Sequence, residues 1–237
     1  MTGKVGRVKK VNWNKGNFRK WVWGLVGASI GLQIVGCSTP QFLTVTIYDS
    51  PHQVVRLQTI SEAIDGKGMN HPAYISEEKM AAVMRGLYVE ISTGALPLLE
   101  DLSPPRRSRA FSDTEIKFFA PLFVKGLAQA TPEEIVTFLE TAEISDTQEI
   151  TTSGGIFLEG DVLYLLISNY SAKTQIWQDA DQYQAPNRLR PLEPISPQPG
   201  RLVVEPAHLM VDVKHSFLQS VLKAEPWQVG IRYKGLK

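Results

Sequence analysis

The chain has 237 residues, 43% of them hydrophobic and 21% charged, with a formal net charge of +1. That balance suits a folded chain, is too apolar for a disordered one, and allows one large domain or two small ones. The single Cys excludes an internal disulfide framework and any multi-Cys zinc site.

The small net charge hides an asymmetry. Residues 1–37 carry seven of the 25 Lys and Arg (Lys4, Arg7, Lys9, Lys10, Lys15, Arg19 and Lys20) and no acid. The remainder holds the other 18 against 24 Asp and Glu, a net of −6. After Lys20 runs an uncharged stretch, Trp21 to Gly36, that ends at Cys37. As a helix it would span about 24 Å, short of the ~30 Å hydrocarbon core. A basic region, a short apolar region and a small residue before a cleavage point form a secretory signal. An uncleaved membrane anchor over residues 21–36 is the competing reading. No Arg pair is present for a twin-arginine signal, and a mitochondrial presequence would not normally end in an apolar run plus Cys.

The four residues Ile34-Val35-Gly36-Cys37 resemble the lipobox of bacterial lipoproteins. There an aliphatic residue lies three before the Cys and a small residue just before it. The resemblance covers residues 1–37 only. It implies cleavage between Gly36 and Cys37, a diacylglycerol thioether on Cys37, and acylation of the new terminus. It also implies transport to the outer membrane, because Ser38 stands where Asp favours inner-membrane retention; the inner membrane is the alternative. Several acyl chains on one Cys would anchor a domain effectively permanently. The bland reading of Cys37 is a buried apolar thiol.

Residues 37–41 then form a lipidated tether, and 42–237 one domain. Phe42–Tyr48 and Val54–Ile60 alternate and are β-branched, with the turn-rich Asp49-Ser50-Pro51-His52 between them, which predicts a hairpin. Residues 65–72 read as a loop. Ser76 caps a predicted helix whose apolar positions are Met80, Val83, Met84, Leu87 and Ile91. Residues 92–110 read as a proline-containing loop with a basic knot at Arg106, Arg107 and Arg109. Ser112 and Glu115 form a capping box before Ile116, Phe118, Phe119, Leu122, Phe123 and Leu127, with Pro121 inside the run as a kink. Thr131-Pro132-Glu133-Glu134 reads as a second helix start, with Ile135, Val136, Phe138 and Leu139 as its buried face. The two would make a helical hairpin.

Ile156–Glu159 and Val162–Ser168 flank Gly160-Asp161, the pattern of a type II′ hairpin turn. Val162–Ile167 is nearly all apolar and predicts a central strand. Gly154-Gly155 reads as a bulge or tight turn rather than a phosphate cradle. Residues 186–199 form a proline-rich connector, followed by strand-like runs at 201–204, 209–213 and 227–233. The fold expected is α+β: an antiparallel sheet with two or three helices packed on one face, behind a cleaved signal peptide.

The catalytic inventory is thin. No dinucleotide or P-loop pattern and no nucleophile elbow is present, so no cofactor is implied. His52, His71, His208 and His215 offer no i, i+4 pair, and no metal site is expected. Glu77-Glu78 and Glu133-Glu134 sit in predicted first helical turns, where carboxylates favour the dipole. Asp179 and Asp181 lack the further ligands of a calcium loop. Tyr164, Tyr170, Trp177 and Tyr183 suit a core or interface more than a sugar-binding groove. Arg106, Arg107 and Arg109 are candidates to meet phosphate, lipid head groups or an acidic partner; a solvated loop is the plain alternative. The acidic mature charge argues against nucleic acid. The sequence thus predicts a noncatalytic, membrane-anchored envelope lipoprotein whose partners are the bilayer, through Cys37, and an envelope protein. The alternative is an exported enzyme or ligand-binding subunit drawing on Asp179, Asp181, His208, His215 and Arg188.

Overall fold

In the computed structural model, residues 45–60, 68–91, 105–175, 187–211 and 227–236 are described. They belong to a compact unit spanning Leu43–Lys237. Gly36, Cys37 and the other residues of 1–44 lie outside the described residues. Among the described residues no helix is long and apolar enough to cross a membrane.

The expected hairpin forms from β1 (Thr46–Asp49) and β2 (Gln53–Thr59), paired antiparallel. Helix α1 (Glu77–Arg85) starts at Ser76, whose side chain accepts from the Lys79 N–H, and stops at Gly86. The residues beyond, read from sequence as more helix, are strand β3 (Leu87–Ile91). An ideal Cβ on Gly86 would lie 2.4 Å from the Glu205 carbonyl oxygen, so this close crossing of two backbones tolerates only glycine. Residues 106–109, expected in a loop, form β4 (Arg106–Arg109). Helix α2 (Asp113–Gln129) carries the predicted capping box and runs through Pro121.

The third expected helix does not exist. Thr131-Pro132-Glu133 is a turn, and β5 (Glu134–Ser145) begins directly after it. Ile135, Val136, Phe138 and Leu139 are all buried because β5 lies inside a sheet covered on both faces, not because one helical stripe is covered. The β-branched run Ile135-Val136-Thr137 suits that environment. Strands β6 (Gln148–Glu159) and β7 (Val162–Gln175) follow, joined at Gly160-Asp161 as expected, with φ +59° at Gly160. Then come β8 (Arg201–Val204), the two-residue β9 (Met210–Val211) and β10 (Trp227–Ile231).

These strands make a seven-stranded antiparallel sheet, ordered β1-β2-β5-β6-β7-β10-β9, and a three-stranded one, ordered β4-β3-β8. The fold is therefore sheet-dominated, and the α+β expectation of two or three helices on one sheet is corrected. Its error lies in reading buried apolar runs with 3.6-residue spacing where the chain is extended.

The main core lies between one face of the large sheet, the two helices and the inner face of the small sheet. Phe138 of β5 is its centre. Phe111, Phe119 and Phe123 sit around it with ring centroids 5.3–5.7 Å away. The opposite face of the large sheet carries a smaller cluster of Ile60, Met69, Ile135, Phe157, Leu166 and Leu192. Leu192 belongs to the proline-rich segment, so that segment is packed onto the sheet rather than standing off as a spacer.

Candidate functional site

Strand alternation sorts the three arginines of β4. Arg107 and Arg109 share the outer face of the small sheet, and Arg106 falls on the other side. The register sets Arg107, Glu90 and Arg201 in one row across β4, β3 and β8. Arg109, Tyr88 and Val203 make the next row. Arg201 holds Glu90 through Nε (2.8 Å) and Nη2 (2.7 Å). Arg107 lies 4.4 Å above the Tyr88 ring and pairs with Glu205 at 2.5 Å. Arg109 pairs with Asp113 in the first turn of α2 at 3.1 Å. The outer face is thus a row of oriented guanidinium forks, each held by one carboxylate, with unused N–H donors facing solvent. The inner face (Leu87, Val89, Leu202 and Val204) belongs to the core.

Asp113 also lines a groove of about 620 Å³ between the helices. Glu77, Glu78 and Arg85 contribute from α1, and Ile116, Lys117 and Pro121 from α2. The charges there are mixed. Glu77 and Glu78 occupy the first turn of α1, as read from sequence.

Sequence reasoning missed a second acidic arrangement. Glu140 on β5 faces Glu115, the third residue of α2. Burial, together with the Glu115 carboxylate, pushes the Glu140 carboxyl up to about 7, against an opposing hydrogen bond from Gln53. The two residues belong to different elements, so no local spacing announces them.

The proline-rich segment is fixed by amides. Asn169 donates to Ser153 Oγ at 2.8 Å and to the Glu193 carbonyl at 3.0 Å, and accepts from the Ile195 N–H at 2.8 Å. Ser153 donates to the Pro191 carbonyl at 2.6 Å. At its start, Arg188 reaches into the β1–β2 turn. It donates to the Pro51 and Ser50 carbonyls and to Asp49 Oδ1 at 2.5–2.7 Å. Asp49 also faces the buried Arg56 at 3.7 Å.

Arg188 is thereby committed to a turn and does not gather with His208, which is exposed within the 3-10 turn Ala207–Leu209. Asp179, Asp181 and His215 lie outside the described residues. His52 is exposed. His71 is buried and bridges two strands: Nδ1 donates to the Glu134 carbonyl at 2.9 Å, and Nε2 accepts from the Leu158 N–H at 3.0 Å. Burial lowers its pKa. Tyr164 stacks on Phe157 at 4.9 Å, whereas Tyr170 packs on Trp227 and joins the main core. The two tyrosines line no common groove, and Trp177 and Tyr183 lie outside the described residues. Among the described residues no group of three or more His, Cys, Asp and Glu is placed to hold a metal.

Comparison with protein-family models, with curated proteins and with solved structures finds no match to this chain.

Proposed function

We propose that the chain is a membrane-anchored lipoprotein of the cell envelope that acts as a noncatalytic interaction or structural module. The observation that carries this reading is Ile34-Val35-Gly36-Cys37 at the end of a basic and then apolar leader. After cleavage at Gly36–Cys37, the acylated Cys37 inserts in the bilayer. Ser38 directs the protein to the outer membrane, with the domain in the periplasm. Residues 37–41 would form the tether between the acylated thiol and the domain. The contact surface for an envelope partner is the arginine strand: Arg107 and Arg109 on the outer face of the small sheet, and Arg106 at its rim.

The test is metabolic labelling with palmitate in a bacterial host, paired with mass spectrometry of the amino terminus. The wild type is expected to incorporate label and to lack residues 1–36, and Cys37→Ser to incorporate none. Equal labelling of both, or an unlabelled wild type that keeps Met1–Gly36, overturns the reading.

A further inference from the structure

We propose that β4 is a docking edge, to which an acidic, extended segment of the envelope partner adds as a further antiparallel strand. Its carboxylates, at alternate positions, meet Arg107 and Arg109. The proposal deepens the contact surface named above and does not depend on acylation of Cys37. β4 ends the small sheet, and among the described residues β3 is its one paired neighbour. The ladder fixes which way its peptide groups point. Ala110 N–H donates to the Leu87 carbonyl at 2.9 Å, and the β3–β4 register carries that parity along the strand. Ser108 and Arg106 therefore bond inward to Val89 and Ile91, and the peptide groups of Arg107 and Arg109 point away from β3. The Tyr170 hydroxyl, on β7, meets the Arg109 carbonyl on that outward side, donating to it at 3.2 Å. Arg107 N–H, the Arg107 carbonyl and Arg109 N–H have no partner among the described residues.

The edge selects its strand by charge. Three of the four β4 side chains are guanidinium groups. Arg106 has no ion pair among the described residues. Arg107 and Arg109 each hold one carboxylate, Glu205 and Asp113, and keep further N–H donors. A second copy of β4 laid alongside would set arginine against arginine, and like charges across a strand pair are destabilising. The occupant is therefore acidic, not another copy of this chain. In an added antiparallel strand, the residue bonded to Arg107 and the residue two places on, beside Arg109, share the outer face with those side chains. Carboxylates at both positions meet the open guanidinium donors. The residue between them falls on the side of Ser108, which is half-buried with its Oγ 3.1 Å from the Tyr170 hydroxyl. A small polar side chain suits that position. The pattern recognised is acid, small residue, acid in an extended chain. Main-chain bonds supply affinity and the guanidinium groups supply selection.

Fluorescence anisotropy with the full chain in detergent micelles tests it. The probe is a labelled peptide of about eight residues in which Glu and Thr alternate. The wild type is expected to bind it, and to bind the same peptide with Gln in place of Glu at least about tenfold more weakly. In the added strand the Glu amides face β4 and the Thr amides face away. Methylation of the Glu amides is therefore expected to cost at least about tenfold as well, and methylation of the Thr amides little. The Arg107→Glu, Arg109→Glu double variant is expected to lose binding. A wild type that does not bind the probe overturns the proposal, and so does undiminished binding by the double variant. Equal binding of the two methylated peptides also overturns it, since that reports an attraction of charge that a lipid head group would share. Failure of palmitate labelling leaves the peptide result standing, and failure of the peptide leaves the lipid anchor standing, so the two are told apart.

Discussion

Gln198 pairs with the backbone of Tyr170 as a neighbouring strand would. Tyr170 N–H donates to Gln198 Oε1 at 2.8 Å, and Gln198 Nε2 donates to the Tyr170 carbonyl at 2.9 Å. One side chain thus satisfies both polar groups of a residue where the β6–β7 ladder shifts register. The next residue, Ser171, has φ +46°, which marks the same irregularity. The Gln198 carbonyl then accepts from Trp227 Nε1 at 3.1 Å, so the proline-rich segment is tied to β10 as well.

Asn169, one residue earlier, does the same for the middle of that segment with three bonds and 2% exposure. Asn169→Ala leaves the Ile195 N–H and the Glu193 carbonyl without their partner. A half-buried orphan costs at least the net value of the bond it loses, and the buried Ser153 Oγ loses its donor as well. Asn169→Ala is therefore expected to destabilise by about 2–3 kcal/mol, and Gln198→Ala by about 1–2 kcal/mol. Urea denaturation measures both. Equal and negligible losses would show that the segment is held by Leu192 and its apolar neighbours alone.

Phe138 provides the reference for core packing. Its ring touches three others and is fully buried. Phe138→Ala is expected to cost about 3–5 kcal/mol through lost transfer energy and the cavity left behind. Tyr74 is 83% exposed, and Tyr74→Ala is expected to change stability by no more than about 0.5 kcal/mol. The same denaturation series reads the contrast.

Local signals were legible, and pairing between distant segments was not. Ser112 and Glu115 announce the α2 start because a capping box is written within four residues. Gly160-Asp161 announces its hairpin for the same reason. Residues 134–139 misled because a strand buried on both faces has no period of two, and Pro132 preceding two acids mimics a helix start. Arg106–Arg109 looked like a loop because three cations in four residues match no half-buried strand; as an exposed edge they discourage unwanted pairing. At the candidate site, the three β4 arginines stood out in sequence as a cluster. Their division between two faces, and the meeting of Arg201 with Glu90, required the register of three strands. The influence of Glu115 on Glu140 acts across the turn between α2 and β5, over 25 residues of sequence, and no local spacing encodes it.

The outer face of the small sheet separates contact function from stability. The Arg107–Glu205 and Arg109–Asp113 pairs are exposed, and such pairs contribute ~0–1 kcal/mol each. Arg107→Glu and Arg109→Glu are each expected to lower stability by less than about 1.5 kcal/mol, the Arg107 change also losing its stacking on Tyr88. If this face is the partner contact, the double variant loses an envelope cross-link formed by the acylated wild type while its membrane fractionation is unchanged. A double variant that still cross-links at the wild-type level removes this face from the reading and leaves lipid anchoring intact.

Two titrations, of the buried His71 and the half-buried Glu140, act in opposite directions on the pH dependence of stability. His71 has its folded pKa lowered by burial from an ordinary value of 6.5. Below 6.5 the unfolded chain takes up a proton that the folded His71 refuses, because Nε2 is occupied by the Leu158 N–H. Its contribution is therefore complete above 6.5 and is lost as the pH falls. Glu140 is raised from 4.5 to about 7, so the folded chain keeps a proton that the unfolded chain has already released. Its contribution is complete below 4.5 and declines as the pH rises to about 7. Glu140→Gln removes that decline, and its melting temperature relative to wild type is expected to be higher at about pH 8 than at about pH 4.5. His71→Gln is expected to be destabilised overall, because it breaks the bridge between Glu134 and Leu158, yet to lose the acid-side slope. Thermal denaturation of the three chains across this range decides it: a Glu140→Gln profile parallel to wild type would mean that Glu140 is ionised in the folded protein at neutral pH.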